Sequence, residues 1–306
     1  MPRHFLDLFD ITAAEASMLL DHASALKGDS SLSRGHASGR TLALIFEKPS
    51  LRTRVSFEAA MTRLGGASTF LKGEDVGLGV RESVRDFARV ISQYVSALAI
   101  RTFGHATVEE LARYASIPIV NALSDEAHPC QAMADLMTIR ETVGRLDKSV
   151  KLVFVGDGNN VARSLAVASA LLGITFVLAS PPAYDFPADF RNRFGAAFPN
   201  TPLLVEHDPC RAVTGAQVVY TDVWASMGQE GESAVRRLAF EPYQVNQALF
   251  GRAASDAIFL HCLPAHRGDE VTDEVLDSDR SLVIPQAANR LHFQTALLDW
   301  LLTDAR

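Results

Sequence analysis

The chain has 306 residues, 48% of them hydrophobic, and a net charge of −7. That length and apolar content supply a large core and suggest two domains of ordinary size. No apolar run approaches the roughly 20 residues needed to cross a bilayer, and the acidic balance argues against general nucleic-acid binding, which wants a basic stripe. The first ten residues carry Asp7 and Asp10 inside their apolar stretch. This lacks the uninterrupted h-region of a secretory signal and the acid-poor character of a transit peptide, and a cytoplasmic protein is expected. The three cysteines, Cys130, Cys210 and Cys262, are an odd count in a long chain, so no disulfide framework is expected. Neither C-x-x-C nor H-E-x-x-H spacing occurs, so no metal is expected.

Short apolar runs predict strands at residues 41–46, 97–101, 118–121, 151–155, 175–179, 217–221, 257–261 and 281–284. Most are continuous rather than alternating, the pattern of parallel strands covered on both faces. Helical stripes lie between them: Leu51, Val55, Ala59 and Thr62; Ala132, Leu136, Ile139 and Val143; Val161, Leu165, Ala168 and Leu172. Gly65-Gly66, Gly144 and Gly173 stop these helices. The fold class is α/β, with two domains, each a parallel β-sheet flanked by helices. The expected break follows a helix near 131–146, giving a first domain of 1–146 and a second of 147–287. A final helix, within 288–306, is expected to pack back on the first.

In open parallel sheets, ligands bind beyond the carboxyl ends of the strands. After the first strand come Ser50, Leu51, Arg52, Thr53 and Arg54. Ser50 suits an N-cap, and the free N–H groups of the first turn suit a phosphate. Ser50 and Thr53 add hydroxyls and Arg52 a forked cation. Arg54 lies about 200° round the helix from Arg52, so the two are not expected on one ligand. The competing reading is a capped surface helix with a solvated basic end. Arg101 closes the second predicted strand, where a buried cation needs an anion, either a ligand or an acidic neighbour. His128, Pro129 and Gln131 open a helix; they form either a carbonyl-polarising pair or a simple cap.

Gly156-Asp-Gly-Asn-Asn160 begins like a dinucleotide fingerprint, but Val161 stands where the third Gly belongs. A small polar ligand is the reading here, not NAD. Asp222 follows the next strand and suits an ammonium; the alternative is an ordinary loop with Trp224 packed inward. The stretch 228–232 reads as a lid. Cys262, after the 257–261 strand, sits either at a ligand amine or as an inert buried thiol. Arg290 offers one more cation.

Taken together, Ser50-Leu-Arg-Thr-Arg54, His128-Pro-Cys-Gln131, Asp222-Val-Trp-Ala-Ser-Met-Gly228 and His261-Cys-Leu-Pro-Ala265 resemble the ordered motifs of the aspartate/ornithine carbamoyltransferase family. The Ser-Met-Gly and His-Cys-Leu-Pro blocks are most similar to its ornithine-specific branch. The resemblance implies that carbamoyl phosphate is held by Ser50, Leu51, Arg52, Thr53, Arg101, His128, Gln131, Cys262, Leu263 and Arg290. It implies that L-ornithine is held by Asn160, Asp222, Ser226, Met227 and Cys262, with Arg52, Arg101, His128 and Cys262 in catalytic roles. No cofactor is implied. A homotrimer or a multiple of trimers is, with the site at a subunit interface.

Two positions depart from the family pattern: Leu51 stands where Thr is usual and Gly77 where many relatives carry Gln. If position 51 offers only its N–H, the first change is mild. At the second, Arg81 is expected to reach across the subunit interface in place of that Gln. Other acceptors are weighed against ornithine. Aspartate wants a basic second domain, and putrescine lacks the carboxylate that the Ser-Met-Gly loop would meet. N-acetylornithine stays open. A nicotinamide dehydrogenase and a binding protein without catalysis are the readings from other classes.

Overall fold

The computed structural model describes residues 2–225 and 230–303. The chain divides into two compact units, one running to Ala134 and resuming at Arg290, the other spanning Asp135–Asn289. The division falls inside the helix Pro129–Val143, whereas the sequence placed it after that helix, at 146.

The first unit holds strands β1 (Thr41–Phe46), β2 (Ala67–Lys72), β3 (Ala97–Arg101) and β4 (Ile119–Leu123), in the order β2-β1-β3-β4. The second holds β5 (Lys151–Val155), β6 (Thr175–Ala179), β7 (Leu204–Glu206), β8 (Val218–Thr221) and β9 (Ile258–His261), in the order β7-β6-β5-β8-β9. Every pairing is parallel. The sequence explains this. Strands such as Leu42-Ala-Leu-Ile45 and Leu152-Val-Phe-Val155 are buried at every position, so both faces must be covered by crossover helices. The strand order reverses once in each unit, between β1 and β3 and between β5 and β8. Such a reversal opens a crevice beyond the strand ends, because the flanking connections leave in opposite directions.

Three sequence expectations are corrected. No strand occupies 281–284. Ser281 makes only an isolated bridge to Phe259, and the helix Val283–Thr303 begins inside that segment. Two strands went unread: β2, an edge strand with alternating burial, and β7, only three residues long. The helix Leu51–Arg63 also buries a different face from the one expected. Thr53, Phe57, Ala60 and Met61 are buried, while Leu51 and Val55 are 78% and 51% exposed. Phe57 and Met61 carry more apolar volume than Leu51 and Val55, so their stripe turns inward. The other two stripes hold, with Val143 and Leu172 only half-buried at their ends. Among the described residues, no helix is long and apolar enough to cross a membrane.

The corrected face has a measurable consequence. Phe57→Ala should cost about 3–5 kcal/mol of stability, while Leu51→Ala should stay within about 0.5 kcal/mol. Urea denaturation of both variants beside the parent chain distinguishes the two faces, and equal losses would contradict the packing described.

Candidate active site

The polar residues of the first unit gather beyond β1, β3 and β4. Pro49 holds the chain extended before Ser50, which caps the helix Leu51–Arg63. Ser50 Oγ accepts from the Thr53 N–H at 3.4 Å and donates to Thr53 Oγ1 at 3.0 Å. Thr53 is fully buried, and its Oγ1 also accepts from Arg290 Nη2 at 2.6 Å. This bond ties the helix start to the final helix, which carries Arg290. Leu51 and Arg52 stand exposed in the first turn. Arg54 turns away, pairing with Glu58 at 2.9 Å and lying 3.9 Å over the Phe70 ring. The expectation that Arg52 and Arg54 face different ways therefore holds.

Arg101 ends β3 in a buried position, its carbonyl accepting from the Glu47 N–H at 2.9 Å. His128 is buried just before Pro129, and its carbonyl accepts from the Gln131 N–H at 3.1 Å. Gln131 is buried in the same first turn. Burial, then the charges of Arg290 and Arg101, push the His128 imidazole well below its ordinary range. It is therefore neutral near pH 7 and offers one N–H donor without adding charge. Burial and Arg101 likewise lower the Lys48 ammonium, which lies 4.3 Å over the Phe103 ring. The result is a cationic cradle: a capped helix N-terminus, two buried guanidinium groups, one exposed guanidinium and a neutral imidazole.

The second unit builds its site beyond β5, β8 and β9. The G-x-G after β5 is accounted for by packing. A Cβ on Gly158 would stand 2.8 Å from the Phe186 nitrogen, and its own N–H donates to the Tyr184 carbonyl at 2.8 Å. The glycine admits a neighbouring segment of the chain, which leaves the dinucleotide reading without support. Asn159, not Asn160, caps the following helix. Its Oδ1 accepts from the N–H groups of Val161 and Ala162 at 3.0 Å, and its Nδ2 donates to Asp222 Oδ2 at 3.1 Å. The sequence reading named both asparagines in this turn and carried only Asn160 forward, as an ornithine contact; the capping role of Asn159 was not read. The signal was present, since Asn directly before an apolar-periodic helix is a preferred cap. Asn160 follows as the first helical residue, half-buried.

Asp222 is buried at the end of β8, and Oδ1 accepts from the Val223 N–H at 2.8 Å and from the Cys262 thiol at 3.0 Å. Asp222, Asn159 and Cys262 thus form one acid–amide–thiol cluster. Ser226 and Met227 lie outside the described residues, as does the start of the 228–232 stretch. Leu263 adopts φ +57°, a left-handed conformation rare for a γ-branched residue. Its N–H donates to His261 Nδ1 at 2.9 Å. With Nδ1 accepting, the His261 proton sits on Nε2, which faces Glu270 Oε1 at 3.2 Å, both side chains being fully buried. The donor atoms of Asp222, His261 and Cys262 lie within 4.8 Å of one another. They do not fit a metal, because both His261 nitrogens are engaged and too few ligand atoms remain.

One parallel α/β unit thus carries a cationic cradle suited to an anionic ligand and the other an acid–amide–thiol cluster, the class of a two-unit α/β protein with sites at its strand ends. The family profile described as the carbamoyl-P binding domain of aspartate/ornithine carbamoyltransferase matches residues 3–141, and its Asp/Orn binding domain matches residues 148–301. The chain belongs to the aspartate/ornithine carbamoyltransferase family. It is 51% identical over 307 residues to the ornithine carbamoyltransferase of Acidothermus cellulolyticus, covering 100% of this chain and 98% of that protein. It is 50% identical over 301 residues to the anabolic ornithine carbamoyltransferase of Pyrococcus furiosus, covering 97% and 95%. Among solved structures, the P. furiosus enzyme superposes with a TM-score of 0.93 at 48% identity, over 97% of this chain and 96% of that one. The anabolic enzyme of Campylobacter jejuni gives 0.91 at 37%, over 99% of each.

The depressed His128 makes stability depend on pH. Below about pH 6.5, the ordinary imidazole value, the unfolded chain binds a proton at His128 that the folded chain refuses. The neutral His128 is therefore harmless above that pH, and stability falls as pH drops toward the lowered folded value. His128→Gln removes this term. Denaturation midpoints of parent and variant, measured across about pH 5 to 8, should diverge on the acid side with the variant losing less. Parallel curves would exclude the buried neutral histidine.

Proposed function

We propose that the chain transfers the carbamoyl group of carbamoyl phosphate to the δ-amine of L-ornithine, releasing phosphate and L-citrulline. The convergence of Arg101, His128 and Arg290 on the capped start of the helix Leu51–Arg63 carries this reading. Ser50, the Leu51 N–H, Arg52, Thr53 and Arg290 hold the phosphate, joined by the helix dipole. Arg101 and the neutral His128 donate to the carbamoyl oxygen, and Gln131 holds the amide. The loop of Cys262 and Leu263 supplies the remaining carbamoyl contacts. Asn160, Asp222, Ser226, Met227 and Cys262 hold ornithine.

The chemistry follows from these positions. The neutral δ-amine attacks the carbamoyl carbon, and negative charge develops on the carbonyl oxygen. Arg52, Arg101 and His128 donate to this charge, and donors held in place before reaction need little reorganisation as it forms. The tetrahedral species then breaks its bond to the phosphate oxygen, the proton shed by the attacking nitrogen leaves with the phosphate, and the cations around it make it a better leaving group. Holding two reactants in one orientation supplies much of the remaining acceleration. Cys262 acts here as a hydrogen-bonding group toward Asp222 and the amine, not as a covalent nucleophile.

Relatives named for ornithine, at about half identity over nearly the whole chain, support this acceptor over putrescine or N-acetylornithine. The anabolic names of the P. furiosus and C. jejuni proteins support the biosynthetic direction. We read the working form as a cytoplasmic homotrimer, or a multiple of trimers, with the donor site completed by a neighbouring subunit. The turn at Gly73–Val76 bears on that. Gly77 takes φ +62°, and a Cβ there would stand 3.0 Å from the Arg81 Cβ. A glutamine at 77 would be strained in this turn, and the exposed Arg81 is the nearby side chain with reach.

Citrulline formation should be observed with ornithine, and not with aspartate, putrescine or N-acetylornithine run beside it. Turnover with a different amine would keep the donor assignment and overturn the acceptor assignment. Arg101→Met should lower kcat by roughly 100-fold or more, the scale for losing one donor to a developing oxyanion. Arg81→Ala should raise the KM for carbamoyl phosphate; an unchanged KM would remove Arg81 from the donor site.

A further inference from the structure

The helix Ser233–Phe240 inverts the usual arrangement of a surface helix. Val235 and Leu238 are 65% and 76% exposed, while the charged Arg236 is turned inward and only 7% exposed. Burying a guanidinium is costly unless its donors are met. Here three hydrogen bonds and one aromatic ring of the second unit surround it. Nη1 donates to Asp157 Oδ2 at 2.5 Å and to the Trp224 carbonyl at 3.0 Å. Nε donates to Glu232 Oε2 at 3.1 Å, and the guanidinium lies 5.0 Å over the Tyr184 ring. Tyr184 in turn receives the Gly158 N–H on its carbonyl.

Two of these contacts straddle the acceptor cluster. Asp157 lies two residues before Asn159, in the turn after β5, and Trp224 lies two residues after Asp222, beyond β8. The Asn159–Asp222 hydrogen bond at 3.1 Å is thus bracketed on both chain segments by bonds to one guanidinium. Arg236 itself makes no hydrogen bond to Asp222. Burial raises the Asp157 carboxyl above its usual range, and the Arg236 bond and charge oppose that rise. The always-charged Arg236 thus works against the burial that favours the neutral Asp157 carboxyl.

We infer that Arg236 is a positioning residue for the amino-acid acceptor, setting the distance between the β5 and β8 loops and so the orientation of the Asp222 carboxylate. The inference rests on the acceptor assignment above and extends it to a residue that touches neither substrate. A purely structural ion pair would lower stability and leave the affinity of the folded fraction alone. A positioning pair changes the acceptor KM and spares the donor.

The test is steady-state kinetics on the full chain as parent, Arg236→Met, Arg236→Lys and Asp157→Asn. Arg236→Met should raise the acceptor KM by about tenfold, the loss expected when a charge-assisted hydrogen bond no longer holds its partner in place. The carbamoyl phosphate KM should stay within about twofold, since no donor residue is touched. Arg236→Lys should recover part of the acceptor KM. Asp157→Asn, which keeps the shape of the turn, should raise it by a smaller factor. If Arg236→Met does not fold, Asp157→Asn and Arg236→Lys decide. An acceptor KM at the parent value in the folded variants, or equal changes in both KM values, overturns the inference. Failure of the acceptor assignment shows in the parent chain alone, as turnover of another amine. The same KM comparison is then made with that amine.

Discussion

Both sheets are wholly parallel, and the rest of the structure depends on that constraint. A parallel strand needs a crossover to reach its neighbour, so every strand in a unit delivers its following loop to the same edge. The reversals between β1 and β3 and between β5 and β8 keep helices from closing that edge at those points. The residues with chemistry follow these strands. Ser50 to Thr53 come after β1, Arg101 ends β3, Asn159 follows β5 and Asp222 follows β8. Short apolar strands and polar residues just beyond them are two consequences of one topology. The strand interior has no room for a charge, and the strand end has nothing else to do with its free backbone groups.

The electrostatics of the first unit follow from burial. Arg101 and Arg290 cannot lose their protons at any relevant pH. A third titratable group placed beside them must take the neutral form, and His128 does so. A protonated His128 would add charge repulsion to the cradle. A neutral one still donates a hydrogen bond, which is what a carbonyl gaining negative charge requires. Lys48, lowered by burial and by Arg101 against the pull of Asp125 and Glu47, gains further attraction from the face of the Phe103 ring.

Most of the fold was legible because its strands are uniform. β1, β3, β5 and β6 occupy the residues expected, since four or five consecutive apolar residues between turn signals have few alternatives. The misses share a cause. β2 is an edge strand that begins Ala67-Ser-Thr69, and β7 is three residues long, its apolar run Leu203-Leu-Val205 too short to announce a strand. Leu282-Val-Ile284 had such a run and is mostly helix, because three apolar residues carry no period. On the helix Leu51–Arg63, spacing permitted two apolar stripes, and only packing chose Phe57 and Met61 over Leu51 and Val55. The polar residues beyond the strands were legible by position. Their partners were not, because a bond such as Arg290 to Thr53 joins residues 237 apart in sequence.

Asn159 shows how capping and function come to share one side chain. Its amide has an oxygen and a nitrogen with opposite hydrogen-bonding character. The oxygen is consumed by Val161 and Ala162 at the helix start, which fixes the side-chain rotamer. The nitrogen then has a set direction, and Asp222 lies along it. An aspartate in this position would cap as well but would set two carboxylates against each other. A serine would cap without reaching. The choice of Asn at 159 thus follows from the need to start a helix and hold a carboxylate with one group. That carboxylate also accepts from Cys262, so its orientation is set from two loops, and Arg236 bonds to residues on both sides of the pair. A site built in this way owes its accuracy to backbone segments held at strand ends rather than to the rigidity of any single loop.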